Sequence, residues 1–334
     1  MSMISSSIPI VVTPSVLVNT MVNGLTNDQS NLAATEQQVS TGDAINVASD
    51  NPAGAASMLQ LQGSVVRANQ YSANAADGVG WLSLGNSTVS SVLNVVQSIK
   101  SVVEGVSGSS LLGDPSTITS TAAQVQGALS QLLNLANTTE AGGQPIFAGT
   151  GNATSAYDAN GNYLGNTTPP TRTVAPGTQV AVAVTGPTVF GTGATGLLGD
   201  GVGTNPVTGA STPTGVLQQT YNDLTNAASD LASGNSSGAA AMLSKVTGTD
   251  LNNLTTALGN AETAAGTLGA NQQAVEGFSS QATASVTALT GQLGAVQDTN
   301  MAQALTNLQL QQTAYQEALY ATSQLSTDSL VKYL

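Results

Sequence analysis

Between Val286 and Leu334 the chain repeats a narrow stripe at steps of three and four residues: Leu289, Leu293, Val296, Asn300, Ala304, Leu308, Gln312, Tyr315, Leu319 and Thr322. No proline follows Pro213, so the pattern predicts one unbroken helix, roughly 70 Å long at about 1.5 Å per residue. A stripe so long and thin cannot be buried by the segment that carries it. Near the other end Val18, Val22, Leu25, Gln29, Leu32, Glu36 and Val39 repeat at strict four-three spacing, as helices that pair along a seam do. The two chain ends are therefore expected to pair, and to complete their burial only against neighbouring copies.

Helix starts are marked where a capping side chain precedes proline, at Thr13-Pro14, Asn51-Pro52, Asp114-Pro115 and Thr212-Pro213. The capping oxygen takes a free backbone donor, and proline at the first helical position gives up a donor that had no partner. The first helix is predicted from Pro14 to Thr41, closed by Gly42. A second begins at Pro52 and carries Leu61, Val65, Ala68, Ser72, Ala75, Val79 and Leu82, then, after a frame shift near Trp81, Gly85, Val89, Val92, Val96, Ile99, Val103 and Val106. Ile118, Ala122, Val125, Leu129, Leu132, Ala136 and Thr139 form the next stripe, expected to end at Gly142-Gly143. From Pro145 to about Ser211 the helical period gives way to Gly, Thr, Pro and Val. Val180, Val182 and Val184 alternate as in a strand, and Asn160-Gly161 between Tyr157 and Tyr163 predicts a tight hairpin. Helix is expected again after Pro213.

The fold class is thus mainly α: a long antiparallel helical bundle or coiled coil formed by both chain ends, with a small β-rich inserted domain. Residues 1–46 and 291–334 are assigned to terminal coiled-coil assembly segments, 47–144 and 212–290 to a helical rod, and 145–211 to the insertion. Gln29, Asn300 and Gln312 interrupt the stripes. Buried amides at such positions fix register, whereas solvent-facing ones mark frayed turns, and the pattern leaves both open.

Composition narrows the function. Of 334 residues, 3% are aromatic and 7% charged, which suits thin seams between close-packed helices better than one thick core. The net charge is -13, and the five cations Arg67, Lys100, Arg172, Lys245 and Lys332 stand singly. Nucleic acid binding needs clustered cations, so neither nucleic acid nor an anionic membrane surface is an expected partner. No run is long enough for a membrane span, and the apolar start, broken by Pro9 and Pro14 with no cation before it, is not expected to be a cleaved signal peptide. With no His and no Cys, the common general base and thiol nucleophile are missing, and the acids fall on separate helices. No enzyme, cofactor or metal site is expected. Gly191, Gly193 and Gly196 match a dinucleotide fingerprint but run on into Gly-rich loop, and Asp158, Asn160 and Asn162 open like a calcium loop but have Tyr163 where Gly is required.

The segment QQVSTGDAINVASDNPAGAASMLQLQ, residues 37–62, resembles the stretch after the first helix of bacterial flagellins and flagellin-like junction proteins. GGQPIFAGT, residues 142–150, and the ending SLVKYL are similar to the junction branch of that family. The resemblance implies a structural subunit of the bacterial flagellum joining hook to filament, extracellular, and exported unfolded through the flagellar type III channel. Its implied partners are a ring of identical copies, a hook-side hook-associated protein, flagellin, and an export chaperone on the Leu289 to Leu319 region. The sites it points to are the two stripes together with the loop and cap residues Gly42, Asn51 and Pro52. Where the family usually has a basic pair, Asp43-Ala44 stands, and its usual paired acids become Asp50-Asn51. The alternatives are flagellin itself, the filament subunit, and a secreted adhesin or surface stalk.

Overall fold

The computed structural model describes residues 14–106, 114–198, 202–204, 211–213 and 215–331. Thr13, the first expected cap, lies outside them. The helices are α1 (Pro14–Thr41), α2 (Pro52–Gly105), α3 (Pro115–Ala136), α4 (Gly186–Phe190), α5 (Val216–Ala232), α6 (Ser236–Lys245), α7 (Leu251–Gln297) and α8 (Met301–Val331). Two antiparallel hairpins, β1 (Thr171–Ala175) with β2 (Thr178–Ala181) and β3 (Val202–Thr204) with β4 (Ser211–Pro213), lie between α3 and α5 in the chain. The chain divides into two compact units: a terminal unit, Met1–Arg67 with Ser285–Leu334, and an inner unit, Ala68–Ala284.

The inner unit holds the core. There α2 and α7 run antiparallel, close enough that a methyl group placed on Gly85 would lie 3.4 Å from Leu268, and Asn86 donates to Gln272 at 2.7 Å across the seam. The stripe read along α2 is the buried one, from Leu82 through Val89, Val92, Val96, Ile99 and Val103. Its neighbour α3 buries Ile118, Ala122, Val125, Leu132 and Ala136, and packs on α5. Asp114 starts α3 as expected: hydrogen bonds from Ser116 and Thr117 hold its carboxyl down at about 2.

The insertion rests on these helices. Asn74 of α2 donates to Thr173 O at 2.8 Å and Asn271 of α7 to Ala181 O at 3.0 Å. Arg172 lies 2.6 Å from Asp77 and 5.5 Å from the Trp81 ring centroid. Phe147, Tyr157 and Phe190 form an edge-on aromatic cluster with centroids 5.4 to 5.5 Å apart. Tyr157 and Tyr163 pair across the predicted Asn160-Gly161 turn, where Gly161 takes φ +82. Partial burial pushes Asp158 up, but hydrogen bonds from Asn162, Asn160 and Gly161 outweigh it and hold the carboxyl low, so these residues close a turn.

Three expectations need correction. The terminal stretch is two helices, not one, because α7 ends at Gln297 and α8 starts at Met301. Thr212-Pro213 does not start a helix: it closes β4, and α5 begins after Gly215. Val180 to Val184 do not alternate as one strand. The ladder stops at Ala181, beyond which Val182 to Gly186 are all buried. Its partner strand begins after Pro169-Pro170, and proline has no N–H to extend the pairing.

Candidate assembly surface

In the terminal unit α1 packs antiparallel on α8, joined at the loop within the 37–62 segment that carries the resemblance and both departures from it. Gly42, at φ +82, ends α1, and its carbonyl accepts from Thr299 N at 2.8 Å. Ala44 N donates to Gln297 O at 2.6 Å, and Gln297 Nε2 donates to Asp43 Oδ1 at 3.1 Å. These bonds pair residue 43 with residue 298 and break what would otherwise be a continuous C-terminal helix. Asn300 stands outside both helices and caps α8, accepting from Gln303 N at 3.3 Å. It is therefore not an amide inside the seam.

The departures from the family pattern also find their use here. Asp50 accepts from Asn46 N and Val47 N, both at 3.0 Å. Asn51 accepts from Gly54 N at 2.9 Å and caps α2 ahead of Pro52. Asp50 thus serves the loop's own backbone, Asp43 ties the loop to Gln297, and Ile45 between them is buried.

The α1–α8 pair covers only part of its apolar surface. On α1 the covered face runs through Met21, Leu25, Asp28, Leu32, Thr35 and Val39, and on α8 through Ala304, Leu308, Gln311, Tyr315, Ala318 and Thr322. Both follow four-three spacing, the seam rule of paired helices. Of the expected N-terminal positions, Leu25, Leu32 and Val39 lie half-buried on this face, whereas Gln29 is exposed and Val18 and Val22 are 42% and 48% exposed. Of the C-terminal ones, Leu289, Leu293, Val296, Leu308 and Tyr315 are half-buried, while Asn300, Gln312 and Leu319 are exposed. Asp28, Thr35 and Gln311 escaped the sequence reading because they are polar, although their spacing alone marks them. Gln311 Oε1 is buried with no hydrogen-bond donor. Asp28, Thr35, Gln311 and Thr322 thus stand on a covered face that is otherwise apolar, while large apolar residues are left to water: Val16, Val18 and Val22 on α1, and Met301, Leu305, Leu310, Leu319 and Tyr320 on α8. Leu59 and Val66 are also exposed at the start of α2. Uncovered apolar side chains of this kind are surface available to a partner. No helix among the described residues is long and apolar enough to cross a membrane.

Comparison with known proteins places these segments. Residues 13–152 match the model of the bacterial flagellin N-terminal helical region, and residues 251–334 that of the bacterial flagellin C-terminal helical region. Flagellar hook-associated protein 3 of Escherichia coli is 29% identical over 170 residues, covering 51% of this chain and 53% of that protein. The protein of the same name from Salmonella typhimurium matches to the same extent. The chain spans about half the length of these curated relatives. Among solved structures, a putative flagellar hook-associated protein from Vibrio parahaemolyticus superposes with a TM-score of 0.57 at 17% identity, covering 75% of this chain and 100% of that one. Flagellar hook-associated protein 3 from Legionella pneumophila does so at 0.55 and 15%, covering 71% and 98%. These two share its fold. With both flagellin helical regions spanning more than half of its length, the chain belongs to the flagellin-like family of bacterial flagellar proteins.

Proposed function

We propose that this chain is a structural subunit of the bacterial flagellum at the junction of hook and filament, assembled through the α1–α8 pair. The observation that carries the reading is the apolar surface this pair leaves uncovered: an isolated helical hairpin gains nothing by turning Val18 and Val22 to water while facing Asp28 and Gln311 inward. In a ring of identical copies those valines meet the outward residues of a neighbour's α8, and their burial contributes about 25 cal/mol per Å². Residues 1–46 and 291–334 then act as the assembly segments, with a hook-side hook-associated protein on one face of the ring and flagellin on the other. The exposed side of α8 also suits a chaperone before export, since a helix with one apolar side docks in a partner's groove. The protein works outside the cell and is exported unfolded.

Flagellin itself is the second reading, favoured by the two flagellin helical regions. Electron microscopy separates them. Seeded with hooks, the purified protein is expected to add a limited layer and stop, and labelled protein in isolated flagella to sit at the hook end. Growth of long filaments would move the assignment to flagellin.

A further inference from the structure

Three segments of the inner unit meet around two buried carboxylates for which the fold supplies one cation. Asp223 lies on α5, Lys245 ends α6, and Asp250 ends a π-helical turn, Val246–Asp250, that leads into α7. Turns of this type widen the helix by one residue and recur at sites under functional constraint. Asp250 is 1% exposed and Asp223 3%. Lys245 Nζ stands 2.5 Å from Asp223 Oδ2 with much of its stem in solvent. Neither oxygen of Asp250 receives a hydrogen bond. The hydroxyl of Thr220, which lies beside it, donates to Val216 O at 2.8 Å. An ionised Asp250 would thus be a buried anion without a donor, next to a second anion, at a free-energy cost of several kcal/mol. A proton removes the difficulty: as an acid, Asp250 donates to Asp223, which also accepts from Lys245.

We infer that Asp250 keeps its proton in the folded protein and donates it to Asp223, and that this hydrogen bond latches α5, α6 and the π turn together until rising pH removes the proton. Burial first, then the Asp223 charge, push Asp250 up to about 7, with Lys245 offsetting part of the rise. Among the described residues no other ionisable group enters the balance. The α3 helix, packed on α5, has none. Tyr221 lines the α3–α5 groove, Asp230 is held by Asn235 at 3.1 Å, and the first acid of α7 is Glu262. The sign follows from linkage. The folded state holds the proton more tightly than the unfolded chain, whose Asp titrates near 3.8. The stabilisation is therefore complete below that value and is lost as pH rises towards 7.

Two measurements on the full chain test this. A carboxyl-carbon NMR titration should give Asp250 a midpoint near 7; a midpoint near the ordinary 3.8 overturns the inference. In Asp250→Asn the amide donates to Asp223 at every pH, so melting temperatures of wild type and variant should diverge from pH 5 to pH 8, with wild type falling. Parallel profiles overturn the latch. If the variant does not fold, the titration of the wild type decides alone.

Discussion

The two units are made of similar helices and differ in what those helices bury. In the inner unit Leu82, Ile118, Leu132, Phe147, Phe190 and Leu268 are sealed in one continuous cluster. In the terminal unit the buried side chains among the described residues are Thr35, Ile45, Ala55 and Ala304, all small apart from Ile45. The inner unit satisfies itself, and the terminal unit is left with apolar surface. Periodicity alone does not distinguish the two cases, since both have four-three stripes. The size of the side chains that meet across the seam does.

The largest contrast is expected in the inner core. Phe190 is fully buried and its ring meets those of Phe147 and Tyr157 edge-on, so Phe190→Ala should destabilise the inner unit by about 3–5 kcal/mol. At about 2–4 °C per kcal/mol for a domain of 150–250 residues, calorimetry should show a drop on the order of 10 °C. Truncating an apolar residue of the α1–α8 seam, such as Leu32→Ala, should move the melting point far less, because Leu32 is only half-covered in the single chain. An equal drop in both would mean that the terminal pair is as self-sufficient as the core, and the contrast would be broken.

This difference also decides what could be read in advance. Helices with a bulky stripe were legible: the buried positions of α2 and α3 follow from spacing, because Val, Ile and Leu fill most of them from Leu82 to Val103 and share them with Ala and Thr on α3. Along α1 the expected stripe mixes two faces, since Leu25, Leu32 and Val39 lie on the covered side while Val18 and Val22 are left exposed. A rule that assigns apolar residues to the interior picks the outer face whenever the true partner is another molecule. The break at 298–300 was hidden for a different reason. It is made by bonds from Gly42, Asp43 and Ala44, which lie more than 250 residues earlier in the chain. Asn300 resembled a seam amide because a cap and an interior amide look alike without the distant loop. The Asp223–Asp250 pair was equally invisible, as single acids on separate helices give no sign that they meet.

A smaller effect sharpens the reading of that break. If Asn300 caps α8, Asn300→Ala should cost about 1 kcal/mol, and Asn300→Asp or Asn300→Ser should retain most of the stability. Were Asn300 instead a register-fixing amide, serine and aspartate would be as harmful as alanine. Far-ultraviolet circular dichroism during denaturation separates the two outcomes, because the cap acts on the helicity of α8.

The smallest effect on the monomer is the most informative about assembly. Val22 is nearly half exposed on α1, off the face covered by α8. Val22→Asp removes no packed contact, and surface substitutions of this kind usually stay within about 0.5 kcal/mol. The variant monomer should melt as the wild type does. In a ring, however, the new carboxylate would have to be buried beside a neighbour's apolar side chains, and an unpaired charge there is costly. Addition of the protein to hooks should then fail while the fold is intact. If Val22→Asp assembles normally, the outward valines are ordinary exposed residues and another surface of the terminal unit must carry the contact. If instead the monomer unfolds, Val22 belongs to a seam within the chain, and its exposure loses its meaning as a sign of a missing partner.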